Sequence, residues 1–125
     1  MLYSNSYDLL FVTESWLHPD FTNGCLDPES LFQILRKNRT VGRGGGVCVF
    51  VHKGLNVLQV DTNDMYNKLE IVIFDLVCEP MKLRFFCVYR PPHGDCDGQD
   101  YLDLLIHCIT SYSIQAIILI SFWVM

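Results

Sequence analysis

Three short stretches of this chain hold residues whose types could do chemistry, each where an apolar run begins or ends. The first is Asp8-Leu9-Leu10-Phe11-Val12-Thr13-Glu14-Ser15-Trp16-Leu17, in which a strand-like run stops at the carboxylate of Glu14. A sheet holds such an acid in one position while its oxygens face outward, as a functional acid requires. A solvated strand end explains it equally well until a second group converges on it. The second stretch runs Arg36-Lys37-Asn38-Arg39-Thr40-Val41-Gly42-Arg43-Gly44-Gly45-Gly46. Three consecutive glycines permit backbone conformations closed to other residues and let another molecule approach closely. The third is Tyr89-Arg90-Pro91-Pro92, where a hydroxyl and a guanidinium stand at the end of a strand. The two prolines remove two ladder donors and stop it there. Taken singly, Arg90 reads as readily as a solvated strand end, and the basic run as a solvated loop.

The elements that must position these residues follow from patterning. The run up to Thr13 predicts a strand, and His18 to Glu29, with its Pro, Asp, Asn and Gly, predicts a loop holding at most a short helical turn. Ser30 to Arg36 alternates weakly, as a short strand does. Val47 to Val51 is β-branched, aromatic and apolar throughout, which fits a strand covered on both faces. After a turn at His52–Asn56, Leu55 to Val60 predicts a partly exposed strand, and Asp61 to Asn67 a polar loop. Leu69–Val77 and Lys82–Tyr89 predict an antiparallel pair joined by Cys78-Glu79-Pro80-Met81. In the first of these, Leu69, Ile71, Ile73 and Asp75 share one face, and Glu70, Val72, Phe74 and Leu76 the other. Asp97 is a candidate N-cap for a helix from about Gln99 to Tyr112, with Leu102, Leu105, Ile106 and Ile109 as its apolar stripe. Ile114 to Ile120 predicts a last strand. This order indicates an α/β or α+β layered domain, not a bundle or an all-β barrel.

Composition narrows the classes further. The chain has 125 residues, half of them hydrophobic, which suits one domain with its own core and excludes disorder. A net charge of −5 argues against a protein that coats nucleic acid generally, although the run from Arg36 to Arg43 is a local basic patch. Met1 to Asp8 has neither the basic start nor the apolar core of a secretory signal, so the six cysteines are expected to be reduced thiols in an intracellular protein, nuclear or cytoplasmic. None forms a C-x-x-C pair, and Cys48 and Cys87 sit in apolar runs as small hydrophobes. His18, His52, His93 and His107 show no metal-ligand spacing. Asp95 to Asp100 lacks the full ligand series of a calcium loop. Trp16 and Trp123 read as packing residues. Ile114 to Met125 is strongly apolar, but its length falls well short of the ~20 residues that a membrane-spanning helix needs. A membrane tether is therefore the minor alternative.

Considered together, the three stretches specify more than any one of them. Thr13-Glu14-Ser15-Trp16-Leu17, Arg43-Gly44-Gly45-Gly46-Val47 and Val88-Tyr89-Arg90-Pro91-Pro92 resemble, in order and spacing, the endonuclease/exonuclease/phosphatase superfamily. The resemblance is to the endonuclease domains of non-LTR (LINE-type) retrotransposons in particular, which usually have a second Thr in place of Ser15. It extends to about Leu119 and covers a middle part of the family domain, so residues 1–125 are expected to be a partial domain lacking the family's first strand and its C-terminal part.

The resemblance implies a DNase I-like four-layer sandwich, two mainly antiparallel or mixed sheets flanked by helices. It implies that Glu14 binds a catalytic Mg²⁺, a hard cation suited to oxygen ligands, and that the Tyr89 hydroxyl reaches the scissile phosphate. Arg39, Arg43, Gly44, Gly45 and Gly46, with Arg90, would face the DNA backbone. A reverse transcriptase domain of the parent element is an implied companion. Family members hydrolyse phosphodiesters with metal, an Asp/His system that activates water and a phosphate-holding Asn. Their Gly-Asp-Phe-Asn motif should follow the strand ending at Ile120, yet this chain reads Ser121-Phe122-Trp123-Val124-Met125. Their later Ser-Asp-His motif is not present either. Members of a catalytic unit act together, so little or no nuclease activity is expected. The alternatives are a non-catalytic nucleic-acid-binding or protein-interaction remnant, and a product tethered to membranes by its apolar C-terminus.

Overall fold

A computed structural model of the chain describes residues 8–13, 22–37, 46–90, 98–114 and 117–123. Strands β1 (Leu9–Thr13), β2 (Phe32–Lys37) and β3 (Val47–His52) form an antiparallel sheet in the order β1-β3-β2. Its central strand, β3, is buried from Val47 to Val51, which is why it has no polar alternation. The second sheet runs β4-β5-β6-β7, with β4 (Val57–Val60), β5 (Glu70–Cys78), β6 (Met81–Arg90) and β7 (Ile117–Trp123). The turn at Glu79–Pro80 sets the β5–β6 register, pairing Cys78 with Met81 and, at the far end, Glu70 with Tyr89. A short helix, α1 (Asn23–Leu26), precedes β2, and α2 (Gly98–Tyr112) lies between β6 and the parallel strand β7.

The sheets stack face to face. Leu35, Val47, Val49 and Val51 from one sheet meet Val72, Phe74, Phe85 and Cys87 from the other. The Phe74 and Phe85 rings are parallel with centroids 4.9 Å apart, and Phe11 of β1 lies 6.2 Å and 6.1 Å from them. Each large side chain removed from water here contributes about 1.5–3 kcal/mol, so this layer is the main source of stability. The outer faces are covered as well. Leu26 of α1 packs with Phe32, Cys48 and Phe50 on one side, and α2 lies on Ile71, Ile73, Phe86 and Val88 on the other. The result is helix, sheet, sheet, helix, the four-layer arrangement that the family resemblance implies.

Three details differ from the sequence expectation. Along α2 the buried seam is Leu105 and Cys108, flanked by Tyr101, Leu104, Ile109 and Tyr112, whereas Ile106 is 54% exposed. The apolar residues of this helix span a wide arc, and Cys108 and the two tyrosines fix which part of it faces the sheet. The segment Asp61–Asn67, expected as plain loop, contains a 3-10 turn at Asp64–Tyr66 capped by the Asn63 side chain. Tyr66 is buried beneath α2, with its hydroxyl 2.6 Å from Nδ1 of His107. Finally, β7 starts at Ile117 instead of Ile114, opposite Arg84. The guanidinium of Arg84 donates to the Tyr112 carbonyl at 2.8 Å, holding the end of α2 level with that residue, so the chain re-enters the sheet there. The apolar stretch is thus a strand over residues 117–123, and among the described residues no helix is long and apolar enough to cross a membrane.

Candidate nucleic-acid interface

The strand ends next to all three sequence motifs lie side by side. In the first sheet Val47, which opens β3, pairs with both Thr13, the residue before Glu14, and Lys37, which closes β2 before the basic loop. In the second sheet Glu70, the opening residue of β5, pairs with Tyr89, and Tyr89 pairs on its other side with Phe122. One hydrogen bond joins the two ends. The Gly46 N–H donates to Oε1 of Glu70 at 2.6 Å, a short bond of the charge-assisted kind. Gly46 has φ 89°, a conformation that side-chain-bearing residues rarely adopt, so a glycine is required at this position.

Glu70 is 5% exposed and Tyr89 2%. Its place in the register puts the Glu70 side chain on the face of β5 that carries Val72 and Phe74, toward the first sheet. From the opposite side α2 reaches the same residue pair. The Tyr101 hydroxyl accepts from the Glu70 N–H at 3.0 Å and donates to the Tyr89 carbonyl at 3.3 Å. The end of the sandwich is therefore held from both faces, by a loop N–H on one and a helix hydroxyl on the other. The Tyr89 ring packs in the inter-sheet cluster, which fixes it firmly.

Of the residues singled out from the sequence, Gly46 and Tyr89 are brought together through Glu70. Glu14, Arg39, Arg43, Gly44 and Gly45 lie outside the described residues, as do Trp16 and Asp97; for Arg90 and Trp123 the strand placement alone is described. Glu70 and Tyr101 are the participants that motif reading missed. Glu70 had a signal: a hairpin turning at Glu79–Pro80 places it opposite Tyr89. Tyr101 had none, since its reach depends on how α2 sits on the sheet.

The described carboxylates do not form a set of metal donors. Asp27 accepts from the backbone N–H groups of Leu31 and Phe32, at 3.1 Å and 2.8 Å. Asp75 is held by Arg84 in a two-pronged pair at 2.6 Å and 2.8 Å. The Arg84 hydrogen bond keeps the Asp75 carboxyl below the usual carboxylate range despite its burial. With Glu70 engaged by Gly46, no group of three or more His, Cys, Asp or Glu among the described residues can hold a metal ion. Buried thiols are equally unsuited to nucleophilic work. Burial pushes Cys48 and Cys108 up to about 11 and Cys87 to about 12, so they stay protonated.

Two sheets stacked between helices make a fold that is similar to known structures. The endonuclease domain of TRAS1, a telomere-specific non-LTR retrotransposon, superposes with a TM-score of 0.52 at 13% identity. The fold is DNase I-like. The match covers 72% of this chain and 39% of the TRAS1 domain, so the chain spans well under half of that structure. TDP2 from Caenorhabditis elegans aligns over 88% of the chain and 35% of its own length, at 15% identity and a TM-score of 0.47. A truncated form of the same protein aligns over 88% of this chain and 46% of its own, at 14% identity and a TM-score of 0.46. No protein-family model matches the sequence, and a search of curated proteins finds no significant match. At these identities the likeness is one of architecture, and the DNase I-like sandwich is what it establishes.

Proposed function

We propose that this chain is a nuclease-like fragment of the retrotransposon-endonuclease type that binds the DNA backbone through its glycine loop and does not cleave it. The observation that carries this reading is the bond from Gly46 to Glu70, which ties the end of the triglycine loop to the strand pair bearing Tyr89. Glycine N–H groups, with Arg39 and Arg43 close by in sequence, suit a phosphate: amides can donate, guanidinium groups can neutralise, and a glycine carries no side chain of its own to obstruct the approach. Arg90, next to Tyr89, would add a fourth contact. On this reading Tyr89, whose ring is buried between the sheets, would be the residue whose hydroxyl contacts the phosphate.

The lack of cleavage follows from residue types at the same end. Where relatives of this type have a metal-site Asp and Asn after a strand, β7 continues through Ser121, Phe122 and Trp123, and Phe122 is the residue paired with Tyr89. Glu14 would then lack the Asp that accompanies it in those relatives, and one carboxylate neither holds Mg²⁺ firmly nor activates water. A reverse transcriptase domain of the same element would be the natural companion of such a module.

Titration of the chain against a fluorescein-labelled duplex at several salt concentrations tests the reading. About three neutralised phosphates give a log–log salt slope near −3, and the double variant Arg39→Ala/Arg43→Ala should lower its magnitude by roughly 2. Binding that is absent at low salt, or a slope that the double variant leaves unchanged, would overturn it.

A further inference from the structure

Glu70 belongs to none of the three motifs, yet it joins Gly46 of one to the strand pair that carries Tyr89 of another. Its carboxylate lies between the sheets and takes the Gly46 N–H at 2.6 Å. Its own N–H is held by Tyr101, whose hydroxyl also holds the Tyr89 carbonyl. Gly46, at φ 89°, is in a conformation that nothing in its own short sequence imposes. A glycine peptide can take many conformations, and a contact from outside its own segment selects among them. We propose that Glu70 is a positioning residue for Gly46, fixing the peptide at which the glycine-rich segment enters β3, so that phosphate binding there depends on this carboxylate. This rests on the DNA-facing reading of the loop given above.

Charge and reach make opposite predictions, which is what allows a test. A buried carboxylate near an incoming phosphate repels it, so if charge were its main effect, every neutral replacement would tighten binding. If fastening is its main effect, Glu70→Gln, which keeps an oxygen acceptor at the same reach, preserves binding. Glu70→Ala then weakens it roughly tenfold, the equivalent of one hydrogen bond. Glu70→Asp retains the charge but is shorter by one methylene, and on the fastening account it behaves like the alanine variant.

Two readouts on the full chain decide the matter: hydrogen exchange of the Gly46 amide, followed by NMR, and anisotropy of the labelled duplex. Expected are slow exchange in the wild type and in Glu70→Gln, fast exchange in Glu70→Ala and Glu70→Asp, and affinities in the same order. Should Glu70→Ala fail to fold, the Gln and Asp variants carry the comparison alone. Unchanged Gly46 exchange in the variants lacking the bond overturns the proposal, and so does tighter DNA binding by Gln and Ala alike. If the wild type binds no duplex, the DNA-facing reading has failed, and Gly46 exchange alone judges the fastening: loss of protection in Glu70→Asp upholds it, and retention refutes it.

Discussion

Strand β5 carries two buried carboxylates, Asp75 and Glu70, that do different work on opposite faces of the same sheet. Asp75 faces α2 and is paired with Arg84, its direct cross-strand neighbour, which in turn holds the last carbonyl of the helix. Both Asp75 oxygens are taken by Arg84, which also donates to the helix end, so these contacts are internal to the fold. Glu70 faces the other sheet, and its cross-strand neighbour is a tyrosine. Its carboxylate reaches out of its own sheet to a loop N–H. A carboxylate matched within its hairpin is a structural fastening, whereas one matched by a loop backbone couples the hairpin to a segment that can meet a ligand. The difference separates the part of the sandwich that carries stability from the part that carries the candidate function.

The largest effect expected from this contrast is on stability. Asp75→Ala leaves the half-buried Arg84 guanidinium without its partner and loosens the end of α2, at a cost of about 3 kcal/mol in urea unfolding. A loss near zero would mean that the pair is as weak as an exposed one, and the contrast with Glu70 would disappear. Glu70→Ala removes one acceptor and strands one buried N–H, for about 1–2 kcal/mol, with the exchange change concentrated at Gly46. Tyr101→Phe deletes only the hydroxyl bridge and should cost about 1 kcal/mol while leaving the packing of α2 intact.

Acid sharpens the same comparison. Because Arg84 holds the folded-state Asp75 carboxyl below its ordinary value, its contribution is complete above the unfolded value and is lost as pH falls through the folded one. Urea midpoints measured from pH 7 downward should therefore decline below about pH 4 in the wild type. Asp75→Asn should show a shallower decline, since it has no carboxyl to protonate there. The smallest expected effect is on thiol access. In the folded chain a maleimide should label the exposed Cys25 and Cys78 and spare Cys48, Cys87 and Cys108, as read by peptide mass spectrometry.

Much of the fold was legible because local pattern dictated it. The unbroken apolar run Val47–Val51 announced a strand covered on both faces, and Cys78-Glu79-Pro80-Met81 announced the hairpin that aligns Glu70 with Tyr89. The alternation along β5 correctly separated Ile71 and Ile73, under α2, from Val72 and Phe74, between the sheets. What local pattern could not decide was anything set by contact between layers. Ile106 and Cys108 are both apolar positions on one helix, and only the docking of α2 buried the second and exposed the first. The start of β7 depended on where Arg84 holds the end of that helix. The partner of Glu70 depended on the stacking of two sheets, and no sequence interval encodes it. The motifs singled out Gly46 and Tyr89 as candidates and were silent about Glu70, the residue that joins them.

The central claim is a DNase I-like sandwich that engages the DNA backbone but does not cut it. Incubating supercoiled plasmid with the purified chain and Mg²⁺, at low salt, tests it most directly. The expected result is a plasmid that is retarded in a salt-sensitive way and remains supercoiled. Mg²⁺-dependent nicking that Glu14→Ala abolishes would contradict the claim and show that the remaining residues suffice for hydrolysis.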